Sequence, residues 1–243
     1  SFYGELSYQL YMMKDWPYMI LTDGNSHNLA LNFQLSRSSI DNPIYTRRGS
    51  QFTIGLKITP PYSLIRGTTD AQYAQMSTTE KYNLLEYHKW RFSGKVFTPL
   101  TADSKLVLMA RADFGYLGHY NKNVKSPFES FYMGGDGMSS YSSYSTEYIS
   151  MRGYQSGSLT PYDPATGRNM GYVYNKFTME LRYPIALEQN ATIWALAFLE
   201  AGNCFADIKD YNPFNLKRSA GVGVRLFLPM FGLMGIDWGW GFD

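Results

Sequence analysis

The residues of this chain that could make or break bonds are few and scattered. His27, His88 and His119 are its only histidines, and none stands at a metal-site spacing from another ligand type. Serine, histidine and aspartate are present, but no G-x-S-x-G elbow exposes a nucleophile for hydrolysis. Cys204 is the single cysteine; it cannot form an intramolecular disulfide and reads as a small buried apolar residue. Gly134-Gly135 is not followed by a helix, so it lacks the amide-lined helix terminus that would hold a phosphate. The chain is therefore expected to be no enzyme and to need neither metal nor cofactor. What remains is fixed charge at mid-strand positions, such as Lys57, Arg91, Asp113, Glu180 and Arg225. There is also an Arg-Gly pair at 152–153, which alone would read as a solvated loop arginine.

The elements that carry these charges have period two, the alternation of a strand whose side chains point to opposite faces. At 51–59, Phe52, Ile54, Leu56 and Ile58 share one face and Gln51, Thr53, Gly55, Lys57 and Thr59 the other. Residues 28–36 set Leu29, Leu31, Phe33 and Leu35 against Asn28, Asn32 and Gln34. The pattern recurs at 2–11, 87–97, 105–116, 177–183, 221–228 and 235–242. The segment 192–201 is apolar on both faces, with Glu200 near its end. With a short run around Phe131, this predicts about ten strands.

Strands of about 9–11 residues suit a tilted bilayer crossing, whereas soluble strands average about 5–6. Aromatic residues make up 17% of the chain and crowd strand ends, while charged residues are only 17%. That combination fits a membrane barrel with aromatic girdles and a polar lumen better than a soluble sandwich. Trp238 and Trp240 share one face of the last strand and read as lipid-facing interface anchors, and His88 reads as a girdle residue. No apolar run reaches the length of a transmembrane helix. A net charge of +2 gives no basic footprint for nucleic acid. The expected fold is all-β: an antiparallel transmembrane β-barrel.

Connections alternate in length. Short ones carry turn formers at 42–49, 99–104, 184–189 and 229–232, as expected of periplasmic turns, and a long, extracellular one lies at about 136–171. The chain starts at Ser1 without a signal peptide, and its strands fall short of closure. Residues 1–243 are therefore expected to be part of one barrel domain, with periplasmic domains and a final strand outside this chain.

Five short motifs occur in order: Phe128 to Gly135, Met151-Arg152-Gly153-Tyr154, Thr178 to Pro184, Phe198-Leu199-Glu200-Ala201-Gly202, and Arg218-Ser219-Ala220-Gly221. Together they resemble the barrel signatures of the BamA superfamily: its V/I-R-G-F loop tetrad, its F-x-D-x-G strand and its R-x-S-x-G strand. The turn at 42–49 also resembles the family's. Gly134, Gly135, Gly202 and Gly221 are the glycines of these motifs.

The resemblance covers nearly the whole chain and implies about ten strands of an expected barrel of roughly sixteen. It implies that the loop folds back into the lumen, with Arg152 pairing with Glu180 and Glu200. Arg suits such a bridge because its planar fork can reach two carboxylates. Glu200 departs from the family's Asp, and Tyr154 from its Phe. The implied function is assembly of barrels in the bacterial outer membrane, with unfolded outer-membrane proteins, accessory subunits of an assembly complex and outer-membrane lipid as partners. A secretion pore or translocation-assembly protein of the same superfamily is the alternative, and a passive porin or receptor ranks below both.

Overall fold

The computed structural model describes residues 1–15, 20–136, 146–164, 167–188 and 190–243. In chain order the elements are β1 (Phe2–Met13), β2 (Gly24–Ser38), β3 (Gly49–Ile58), α1 (Tyr62–Arg66), α2 (Asp70–Gln75), α3 (Thr78–Lys81), β4 (His88–Pro99) and β5 (Val107–Gly118). Four short strands follow: β6 (Phe131–Met133), β7 (Glu147–Ile149), β8 (Tyr162–Asp163) and β9 (Arg168–Asn169). The chain then continues through β10 (Val173–Leu187), β11 (Thr192–Phe205), β12 (Lys217–Leu228) and β13 (Gly232–Gly241).

Nine strands form one antiparallel sheet, ordered β1-β2-β3-β4-β5-β10-β11-β12-β13, which is not closed between its outer strands. The wall thus has nine strands where the alternation predicts about ten. The run at Phe131 is the difference. It pairs parallel with Glu147–Ile149 inside the long connection and does not join the wall. The turn expected at 184–189 is displaced too: β10 continues through Pro184 to Leu187, with a register shift between Pro184 and Ala186. Proline is tolerated because pairing with β5 ends at Arg182, so no partner there requires its missing N–H. Residue 189 lies outside the described residues.

Burial is inverted relative to a water-soluble fold. Ile54 is 47% and Trp238 74% exposed on the outer face, while Lys89 and Glu200 are 2% and 3% exposed on the inner one. A continuous apolar outer face of this kind is stable against lipid and a liability in water. Among the described residues, no helix is long and apolar enough to cross a membrane.

Two apolar clusters interrupt the polar inner face. Near the short turns, Trp194, Leu196 and Phe198 pack with Phe97, Val107, Met109 and Tyr45, which accounts for the two apolar faces of 192–201. Tyr45 arrives from the turn between β2 and β3: its hydroxyl donates to the Lys105 carbonyl at 2.9 Å, and its ring meets Trp194 edge-on at 5.7 Å. Near the long loops, Tyr87, Leu117, Phe128, Phe131, Met133, Met151 and Cys204 form a second apolar cluster.

Candidate functional site

Charged side chains fill the band between these clusters. The connection between β5 and β10 turns back along the inner wall and brings Arg152 into it. Gly134 and Gly135 shape this path. Gly135 N–H donates to the Tyr154 carbonyl at 3.0 Å and its carbonyl accepts from Met151 N–H at 2.8 Å, so the two stretches pair. Gly134 has a φ of +128°, and a Cβ there would lie 2.4 Å from the Gln155 carbonyl oxygen. Met151 itself is fully buried in the upper cluster.

Arg152 meets three strands. Its backbone N–H donates to Glu200 Oε2 at 2.9 Å, and Nε and Nη2 donate to Glu200 Oε1 at 3.0 and 2.7 Å. Nη2 also reaches Glu180 Oε1 at 2.9 Å on β10, and Nη1 reaches Asp237 Oδ2 at 3.4 Å on β13. The guanidinium lies 3.7 Å from the ring centroid of Phe198, a cation–π contact. Its side chain is 12% exposed. The register explains the access. Glu200 lies between Thr178 and Ser219 on the neighbouring strands, and these small residues leave room for the loop.

Each carboxylate has a second cation. Lys176 Nζ lies 3.0 Å from Glu200 and donates to the Ser150 carbonyl at 2.6 Å. Arg182 pairs with Glu180 at 2.6 Å and Arg225 with Asp237 at 2.6 Å. A space of about 370 Å³ adjoins these groups, between the loop and the turn that carries Tyr45. This is an ion-pair network, and it can hold a loop against the wall. Among the described residues, no group of three or more His, Cys, Asp or Glu is placed to hold a metal ion.

The loop tip rests on the backbone of β13. Gly153 has a φ of +88°, and a Cβ there would come within 2.7 Å of the Trp240 carbonyl carbon. Tyr154 donates its hydroxyl to the Arg218 carbonyl at 2.8 Å. The slot exists because Gly239 and Gly241 put no side chain on the inner face, where the loop's backbone approaches them. Trp238 and Trp240 alternate with these glycines and are exposed on the outer face. Gly221 lies against Phe198 and the Trp238 carbonyl, and Gly202 against Asn175 and Met133. Asp237, Lys176, Gly239 and Gly241 are participants that motif reading misses. Alternation on β13 could have found Asp237, since it shares the inner face with the two glycines.

A second ion cluster fastens the same loop to the other side of the wall. Glu129 pairs with Lys57 and, at 3.0 Å, with Lys89; Glu147 pairs with Lys89 at 2.8 Å and Arg91 at 3.2 Å. Lys57 and Lys89 are directly opposed on β3 and β4. Two like charges in register on an inner face call for an acidic partner, and that was the available signal.

An open antiparallel wall, apolar outside and charged within, with a loop drawn back along its inner face, defines an outer-membrane β-barrel. The chain belongs to the Omp85 superfamily, whose domain matches residues 4–243. Among solved structures it is similar to the crystal structure of BamA from Haemophilus ducreyi lacking POTRA domains 1-3. The TM-score is 0.62 and the identity 16%, over 90% of this chain and 40% of that one. At that identity the likeness is one of fold, and this chain spans less than half the length of that protein. No curated protein sequence matches the chain.

Proposed function

We propose that this chain is the greater part of the barrel of a bacterial outer-membrane assembly factor, which folds other barrels and inserts them into the membrane without bond-making chemistry. The observation that carries the reading is Arg152, held against Glu180, Glu200 and Asp237 with its neighbour Gly153 seated on β13. That arrangement ties a loop to β10, β11 and β13, Tyr154 adds β12, and together they fix the relative positions of these strands. In a barrel that accepts incoming strands through backbone hydrogen bonds at an open edge, as sheet edges do in other recognition systems, such a tie supports the wall beside that edge. Unfolded outer-membrane proteins are then the substrates, accessory subunits the partners, and outer-membrane lipid the surroundings.

The test is depletion followed by complementation in the organism of origin. Loss of the protein should lower the yield of many folded outer-membrane barrels, and Arg152→Ala should complement poorly while still being inserted itself. If every other barrel folds normally on depletion, the assembly reading is wrong. A defect confined to export of a single partner would favour the secretion pore, for which the same loop and acidic strand would serve.

A further inference from the structure

The three helices between β3 and β4 cover part of the wall's outer side. The chain returns from them along residues 83–87, beside β2. His27 N–H donates to the Asn83 carbonyl at 2.7 Å and Leu85 N–H to the His27 carbonyl at 3.0 Å. Leu85 and Tyr87 enter the inner cluster, so alternation turns Glu86 outward. An outward carboxylate at the rim should be exposed, yet Glu86 is only 3% exposed. The helices cover it: Ser63 N–H at the start of α1 donates to Glu86 Oε2 at 2.7 Å. Glu86 Oε1 has no hydrogen-bond partner among the described residues, a costly state for a buried carboxylate oxygen.

Glu86 lines a cavity of about 670 Å³ between the helices and the outer faces of β1 and β2, with Tyr8, His27, Tyr62, Arg66 and Lys81 around it. Glu80, which also borders it, is occupied in capping α3 through Ser77. Leu64 and Ile65, beside Arg66 on α1, are 64% and 71% exposed. Apolar residues next to cations on a short surface helix suit the boundary between acyl chains and headgroups. Long loops mark the extracellular end of such a barrel, so this boundary belongs to the outer leaflet.

We propose that the cavity binds the phosphorylated sugar headgroup of an outer-leaflet glycolipid. Arg66 and Lys81 take the phosphate, Glu86 Oε1 accepts from a sugar hydroxyl or amide, and the tyrosine rings pack against the sugar. Leu64 and Ile65 enter the acyl layer. The volume favours a sugar over a small zwitterionic headgroup, which would satisfy Glu86 but leave most of the space empty. The inference needs only that the wall faces lipid, and it stands whether or not the protein assembles other barrels.

The test uses the full-length protein in detergent micelles, titrated with lipid A, phosphatidylethanolamine and soluble glucosamine 1-phosphate. Lipid A should bind most tightly. Each cation removed, by Arg66→Ala or Lys81→Ala, should weaken lipid A binding about fivefold. Glu86→Gln should weaken it by a similar factor of about five. Leu64→Ser with Ile65→Ser should weaken lipid A binding but leave glucosamine 1-phosphate unaffected. Heat-modifiable mobility on gels shows that each variant is folded. Equal affinity for phosphatidylethanolamine, or lipid A binding unchanged by Arg66→Ala with Lys81→Ala, would overturn the proposal.

Discussion

The loop between β5 and β10 is fastened at two places, and the polarity of the two is opposite. At its tip, one loop cation, Arg152, sits among three wall carboxylates, Glu180, Glu200 and Asp237. At its shoulder, two loop carboxylates, Glu129 and Glu147, sit among three wall cations, Lys57, Lys89 and Arg91. The chemistry differs as well. Arg152 presents a rigid fork and its own backbone N–H to Glu200, which fixes an orientation. Lys57 and Lys89 are point charges on flexible stems and fix only a neighbourhood. The tip is thus built for position and the shoulder for attachment. The tip is also the part that contacts β13.

The largest effect that would sharpen this contrast belongs to Arg152→Ala. It leaves Glu200 with Lys176 and the Thr178 hydroxyl, and losing the charge-assisted hydrogen bonds of Arg152 costs about 3 kcal/mol. Backbone hydrogen exchange at 150–155 should accelerate correspondingly in the micelle-bound protein, while exchange at 128–133 stays slow. Arg152→Lys should recover less than half of the loss, because an ammonium cannot serve Glu200 and Glu180 in the same geometry. If Lys restores the tip fully, orientation is not what the site supplies and the contrast with the shoulder disappears.

Gly153→Ala comes next. The left-handed backbone and the approach to Trp240 each oppose a methyl group, for a cost of about 1–3 kcal/mol. All ion pairs of Arg152 remain chemically available in this variant. It therefore separates seating on β13 from charge: faster exchange at 150–155 with the Arg152 pairs intact would show that the seat matters by itself. Unchanged exchange at the tip would mean that the loop does not press on β13.

How far this arrangement could be read without coordinates depends on the residue. The wall strands are legible because lipid outside and charge inside impose a strict alternation, and Trp238 with Trp240 stand outward where that alternation puts them. Phe131 misleads because a short apolar run inside a loop has the same local pattern as a wall strand. Its partners, Glu147 to Ile149, are set by the loop's own fold. The inner apolar clusters stay hidden for a related reason: Trp194 and Leu196 look like lipid contacts until Tyr45 is known to enter from a distant turn. Two of the three helices, α2 and α3, carry capping boxes, Thr69 with Gln72 and Ser77 with Glu80, a local signal that strand periodicity does not reveal; α1 has no side-chain cap. Glu129 lies in the motif from Phe128 to Gly135, but the lysines opposite it carry none, so only the register brings them together.

The shoulder yields the smaller predictions. Lys57→Ala leaves Glu129 paired with Lys89 and should cost about 1 kcal/mol in local stability. Acid offers a finer test. Burial alone would raise the Glu129 carboxyl, but Lys89 and Lys57 outweigh it and hold it below the ordinary glutamate range. A carboxylate depressed in the folded state stabilises fully above its unfolded value of about 4.3 and loses that contribution as pH falls through the folded value. Hydrogen exchange at 128–133, corrected for its intrinsic pH dependence, should therefore be flat from neutral pH down to the ordinary glutamate range. It should rise only below that range, and in Lys57→Ala the rise should begin at higher pH because one of the two depressing charges is gone. A shoulder that already loosens well above the glutamate range would show that Glu129 is not held as the anion, and attachment there would have to come from the packing of Phe128 and Phe131 instead.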